Sequence, residues 1–149
     1  MSKELINPPG TQALQTNPEV GGAAEALKAA PSQLAYLKDN SVNPPRYLMM
    51  SNGYVIPTKD VNQASKFLVI SYGDGNWYIM TVDTAEYLSF TDRSYLYAYS
   101  AWSNARYVTL DPVSFKKYPG LYLHDGYVCC NGMKDKPDSL MSVHLELIR

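Results

Sequence analysis

The sequence predicts a mainly β protein: an antiparallel β-sandwich of jelly-roll or Greek-key type, preceded by an extended arm and one or two short helices. Three observations predict it. From residue 46 onward apolar residues recur with a period of two, and turn signals interrupt them about every ten residues. Residues 1–45 hold six of the ten prolines and a single aromatic residue, Tyr36. All the other aromatic residues lie in 46–149, so only that part carries the large side chains of a core.

Residues 1–20 are expected to form an extended arm. Asn7, Pro8, Pro9 and Gly10, then Asn17 and Pro18, impose turn or polyproline-like geometry, and each residue before a proline is pushed away from the helix. Residues 21–45 are expected to form a short helical segment and a proline-rich linker. Ala23, Ala24, Glu25, Ala26, Leu27, Lys28, Ala29 and Ala30 are nearly all strong helix formers. Val20, Ala23, Leu27, Ala30, Leu34 and Leu37 recur at spacings of three and four, which sets one narrow apolar stripe on a helix. Pro31 kinks that helix or splits it in two, and Asn43, Pro44 and Pro45 block its return. The stripe serves either to pack on its own domain or to dock and self-associate.

Residues 46–149 are expected to form the antiparallel β domain, with eight to ten short strands. Residues 47–50 and 54–56 flank Asn52 and Gly53, the strongest short hairpin signal. Residues 67–72 and 77–82 flank a second turn, Gly73 to Asn76. Residues 95–99 and 106–110 are read as a third hairpin, joined across Ser103 and Asn104. Residues 121–123 and 127–130 flank His124, Asp125 and Gly126, a fourth. In the last strand Met141, Val143, Leu145 and Leu147 point one way, and Ser142, His144 and Glu146 the other. An up-and-down barrel is the alternative to the sandwich, because the hairpin rhythm does not fix the strand order.

The 149 residues carry 13 Lys and Arg against 14 Asp and Glu, a net charge of −1. That balance argues against a dedicated nucleic-acid binder, which shows a basic excess. The aromatic content argues against wholesale disorder. No apolar segment near the start resembles a secretory signal, and no run approaches the roughly 20 apolar residues of a membrane-spanning helix. Cys129 and Cys130 are neighbours that point to opposite faces of a strand, so two reduced thiols are expected, at least one of them buried.

Catalytic patterns are scarce. The nucleophile elbow, the phosphate-binding loop and zinc-ligand spacings are absent, so no cofactor or metal is expected. His144 sits on the polar face of the last strand, where a solvated residue is ordinary. His124 lies in a turn that Asp125 and Gly126 already explain, and in a two-residue hairpin it faces Tyr127. A small enzyme using His124 with Asp125 or Asp111 is the weakest of three readings. The anomaly is tyrosine: Tyr95, Tyr97 and Tyr99 line one face of one strand, with Leu96, Ala98 and Ser100 on the other and Tyr107 expected nearby. Such a row suits the edge of a core, a protein interface or a stacking platform, because tyrosine joins a broad apolar ring to a polar tip.

An arm of seventeen extended residues spans on the order of 50 Å. Ordering it costs about 1–2 kcal/mol per residue, so a multivalent assembly is where it would be used. The layout of Asn7, Pro8, Pro9 and Gly10, the Ala-rich segment from Gly21 to Ala30 and the hairpin-rich body resembles small cement or decoration proteins of tailed-phage capsids. That resemblance implies a non-enzymatic virion protein, made in the host cytoplasm, that ties neighbouring coat subunits together as a dimer or trimer. Its expected interface residues are Pro8, Pro9, Leu14, Val20, Leu27, Leu34 and Leu37 from the arm and helix, with Tyr95, Tyr97 and Tyr99 from the β domain. The alternative is a binding module for carbohydrate or peptide, using the same tyrosines and Trp102.

Overall fold

The computed structural model describes residues 32–132 and 139–148. Its strands are β1 (Gln33–Asp39), β2 (Arg46–Ser51), β3 (Tyr54–Thr58), β4 (Phe67–Ser71), β5 (Trp77–Thr81), β6 (Tyr87–Phe90), β7 (Leu96–Tyr99), β8 (Val108–Thr109), β9 (Ser114–Phe115), β10 (Leu121–His124), β11 (Tyr127–Cys130), β12 (Ser139–Leu140) and β13 (Val143–Leu147). Every ladder is antiparallel. Helix among the described residues is limited to two single 3-10 turns, Val61–Gln63 and Trp102–Asn104.

Seven strands close a barrel in the order β1-β2-β3-β7-β6-β5-β4 and back to β1. The expected two-sheet sandwich is therefore replaced by a closed ring. Hairpin rhythm and alternation are common to both architectures. Closure depends on two long-range pairings, β1 with β4 and β3 with β7, that no local signal announces. β13 lies along β1, β8 and β9 extend from β5, and β11-β10-β12 forms a second small sheet. The two sheets meet where Tyr95 bridges Cys129 and the Cys130 N–H donates to the Ser94 carbonyl at 2.9 Å.

The helix expected to continue through Leu34 and Leu37 is instead strand β1. Residues three apart share a helix face but lie on opposite faces of a strand. Ala35, Leu37 and Asp39 are buried, whereas Leu34, Tyr36 and Lys38 are only half-buried on the other side. The ladders with β13, β2 and β4 override a local helix pattern. The β domain accordingly includes residues 33–39, ahead of the boundary expected at 46. The stretch before Pro31 expected to be helical lies outside the described residues, as do Pro8, Pro9, Leu14, Val20 and Leu27.

Asp39 ties this corner together. Its buried carboxylate accepts from Arg46 Nε at 2.7 Å, Ser142 N at 2.9 Å, Ser41 N at 3.0 Å and Ser41 Oγ at 2.9 Å. Burial pushes the carboxyl up, but the bonds from Arg46, Ser142 and Ser41 outweigh it and hold Asp39 below the ordinary carboxylate value.

Three hairpins form as expected. The loops Asn52-Gly53 and Asp125-Gly126 have positive φ at both residues (52° and 86°, 53° and 85°), the mirror-image turn that Asn/Asp-Gly favours. β4 and β5 pair across the Gly73–Asn76 turn. The third hairpin does not form: β7 pairs with β6 and β3, whereas β8 pairs with β5 and β9.

The main core fills the barrel with Ala35, Leu37, Leu48, Val55, Phe67, Val69, Ile79, Leu88 and Leu96. A second buried cluster lies on the opposite face of β4, β5 and β6, outside the barrel. Ile70, Tyr72, Tyr78 and Tyr87 there are covered by Trp102, Ala105 and Tyr107. Cys129 and Cys130 are both buried and unbridged.

Candidate functional site

β7 alternates as its sequence requires. Leu96 and Ala98 point into the barrel, and Tyr95, Tyr97 and Tyr99 point out, each half-buried. Tyr97 stands opposite Tyr54 on β3, and the Tyr95–Cys129 bridge brings Tyr127 of β11 alongside. The rings run on without a break. Tyr99 meets Tyr97 at 5.1 Å, Tyr97 meets Tyr54 at 4.8 Å, and Tyr54 meets Tyr127 at 5.6 Å and Tyr95 at 6.4 Å, all edge to face. His124 adds a tilted ring 6.4 Å from Tyr95.

The β2–β3 turn makes room for this stripe. Tyr97 lies against Gly53, where an added Cβ would stand 2.5 Å from the ring. At the other end Tyr54, Tyr95, Tyr127 and Asp125 line a shallow groove of about 260 Å³. Tyr127 is 40% exposed, high for a large ring. Burial pushes the Tyr99 hydroxyl above its ordinary value; Tyr97, Asp92 and Tyr54 push the same way, and Arg106 opposes them.

Of the residues expected to act, the structure brings Tyr95, Tyr97 and Tyr99 together and adds Tyr54, Tyr127 and His124. A signal for two of these was present. Tyr54 and Tyr127 each occupy the first position after an Asn/Asp-Gly turn. Leu37 is 1% exposed and belongs to the core, so it presents nothing to a partner. Leu34 is half-buried opposite Leu68 of β4. Tyr107 and Trp102 are also displaced from the expected face. Both are buried in the second cluster, so Trp102 cannot serve as a platform for a ligand.

Of the two carboxylates expected beside His124, Asp111 is engaged elsewhere. Asp111 bonds instead to His144 Nδ1 at 2.8 Å, while His144 Nε2 lies 3.0 Å from Ser142 Oγ. The connectivity is that of a Ser-His-Asp relay, but the Asp111 side chain is 89% exposed and the Ser142 N–H is already given to Asp39. The relay ties the loop at Asp111 to the last strand without a preorganised, water-excluded setting. Burial pushes the Cys130 thiol up, against hydrogen bonds involving Ser94, Gly132 and its own backbone, which makes it a poor nucleophile.

Among the described residues no three His, Cys, Asp or Glu side chains gather as a metal site. No helix among them is long and apolar enough to cross a membrane. No protein-family model matches the chain, and no curated protein is detectably similar to it.

Proposed function

We propose that the chain is a non-enzymatic assembly protein whose aromatic stripe docks protein subunits, its own copies among them. The observation that carries this reading is the unbroken row of half-exposed rings from Tyr99 through Tyr97, Tyr54 and Tyr127 to Tyr95. Tyrosine is enriched at protein interfaces, and rings that already pack on one another lose little rotational freedom when a partner arrives. Charge points away from nucleic acid. Arg106, the cation that acts on Tyr99, is tied to the Ser103 and Ala105 carbonyls. The resemblance to capsid cement proteins supplies the proposed setting, a virion surface on which the protein joins neighbouring coat subunits as a dimer or trimer.

Sedimentation equilibrium of the full chain tests the reading. The wild type is expected to associate, and the double change Tyr54→Ser with Tyr127→Ser to weaken association at least tenfold, about 1.4 kcal/mol. A wild type that stays monomeric, or oligomers indifferent to both substitutions, overturns the stripe as an interface.

A further inference from the structure

The Asn52-Gly53 turn that carries Tyr97 on one side forms, on another, a wall of a cleft of about 530 Å³. The facing wall is the turn between β5 and β6, with Asp83, Thr84 and Glu86. Residues 62–66 run between the walls and are pinned to both. The Ser65 N–H donates to the Leu48 carbonyl at 3.2 Å, Ser65 Oγ accepts from Met50 N at 2.8 Å, and the Val82 N–H donates to the Lys66 carbonyl at 3.2 Å. The far turn is braced as well, by Thr81 Oγ1 to Thr84 Oγ1 at 2.6 Å and Glu86 N to Thr81 Oγ1 at 3.0 Å.

We propose that this cleft binds a neutral polyhydroxylated ligand, a carbohydrate. Its volume falls in the range of small-molecule sites, but its lining is polar and apolar in about equal measure where such sites are mostly apolar. Asn52, Asn62, Gln63, Lys66, Asp83 and Glu86 all line it. None of their side chains bonds to another described side chain, so their hydrogen-bonding capacity is unspent. Carboxamides and carboxylates offer adjacent donors or acceptors in one plane, which match neighbouring hydroxyls on a sugar ring.

Charge narrows the ligand further. Two carboxylates against one ammonium leave the lining net negative, which disfavours a phosphate or a uronic acid. The braced backbone holds the groups in place before the ligand arrives, which lowers the cost of binding. Tyr97 lies against Gly53, a residue of the cleft wall, so an aromatic ring borders the site. The inference does not depend on the stripe being a protein interface.

Saturation-transfer NMR on the full chain tests it. The probes are methyl glycosides of glucose, galactose, mannose and N-acetylglucosamine, with cellobiose, maltose and lactose; glucuronic acid and inorganic phosphate are the charged controls. At least one neutral sugar is expected to bind, more tightly than either control. Asn62→Ala and Asp83→Ala, both exposed and away from the core, should each weaken it about tenfold with circular dichroism unchanged. Absence of transfer from every neutral sugar overturns the proposal. So does binding that survives both substitutions and disappears with Tyr97→Ala, which would move the sugar to the stripe.

Discussion

The barrel carries two aromatic clusters on its outer surface, and they border one another. In the first, Trp102 meets Tyr78 at 4.9 Å, Tyr87 at 5.2 Å and Tyr72 at 5.7 Å, all edge to face. In the second, the stripe, Tyr54, Tyr97, Tyr99 and Tyr127 meet at comparable spacings and angles. Tyr87 of the first cluster stands directly opposite Tyr99 of the second across β6 and β7. Yet Tyr87 is 2% exposed and Tyr99 is half-exposed. What separates them is a lid. Residues 101–107 fold back through a 3-10 turn, insert Trp102, Ala105 and Tyr107 over the first cluster, and stop short of Tyr99. Ring packing alone therefore does not mark an interface. Among the described residues, the chain's own cover makes one cluster core and leaves the other half-exposed.

The sharpest way to break this contrast is to remove the lid's anchor. Trp102→Ala should cost about 3–5 kcal/mol, a large share of the 5–15 kcal/mol that holds a domain folded. Tyr127→Ala on the stripe should change stability by less than about 0.5 kcal/mol. Urea unfolding of the two variants measures both. Equal losses would show that the stripe is structural and the distinction empty.

A smaller effect is expected from alkali. Burial pushes the Tyr72 hydroxyl up to about 12, and pushes Tyr78 and Tyr87 in the same direction. A hydroxyl whose folded value exceeds its unfolded value, about 10, stabilises the neutral fold fully below pH 10. That contribution is lost as pH rises from about 10 through about 12. Tyrosinate absorbance followed together with circular dichroism should show a late group of tyrosines ionising only as the sheet signal collapses. A single smooth ionisation with the fold intact would mean that the lid admits water.

Much of this contrast was legible in the sequence, and its decisive part was not. Asn52-Gly53 and Asp125-Gly126 announce their hairpins because left-handed backbone at both positions selects those residues. Alternation in Tyr95 to Tyr99 separates the tyrosines from Leu96 and Ala98, as the barrel wall requires. Alternation also divides Tyr78 from Ile79, but it does not say that Tyr78 will be sealed while Tyr97 stays open. That depends on where residues 101–107 return, a tertiary event without local periodicity. β1 was hidden for a related reason. Leu34 and Leu37 satisfy a helical spacing and fall on opposite faces of a strand, so the local pattern points to helix and only the distant ladders to β4 and β13 override it.

The smallest and most specific perturbation is Gly53→Ala. At φ +86° an alanine is strained, and its Cβ would stand 2.5 Å from the Tyr97 ring. The cost in stability should be modest, about 1–2 kcal/mol, because a left-handed residue in an exposed turn is affected and the barrel core is not touched. The cost in arrangement should be larger. Tyr97 links Tyr99 to Tyr54, so lifting its ring divides the stripe in two. Ring-proton chemical shifts of Tyr54, Tyr97 and Tyr99 should therefore move while those of Tyr72 and Tyr78 under the lid stay fixed. Self-association should fall by more than the loss of folding stability explains. If the stripe tyrosines keep their shifts, the ring has yielded without moving its neighbours and the row is not a single unit. If the lidded tyrosines move as well, the two clusters are mechanically one, and the boundary between Tyr87 and Tyr99 does not divide core from docking surface.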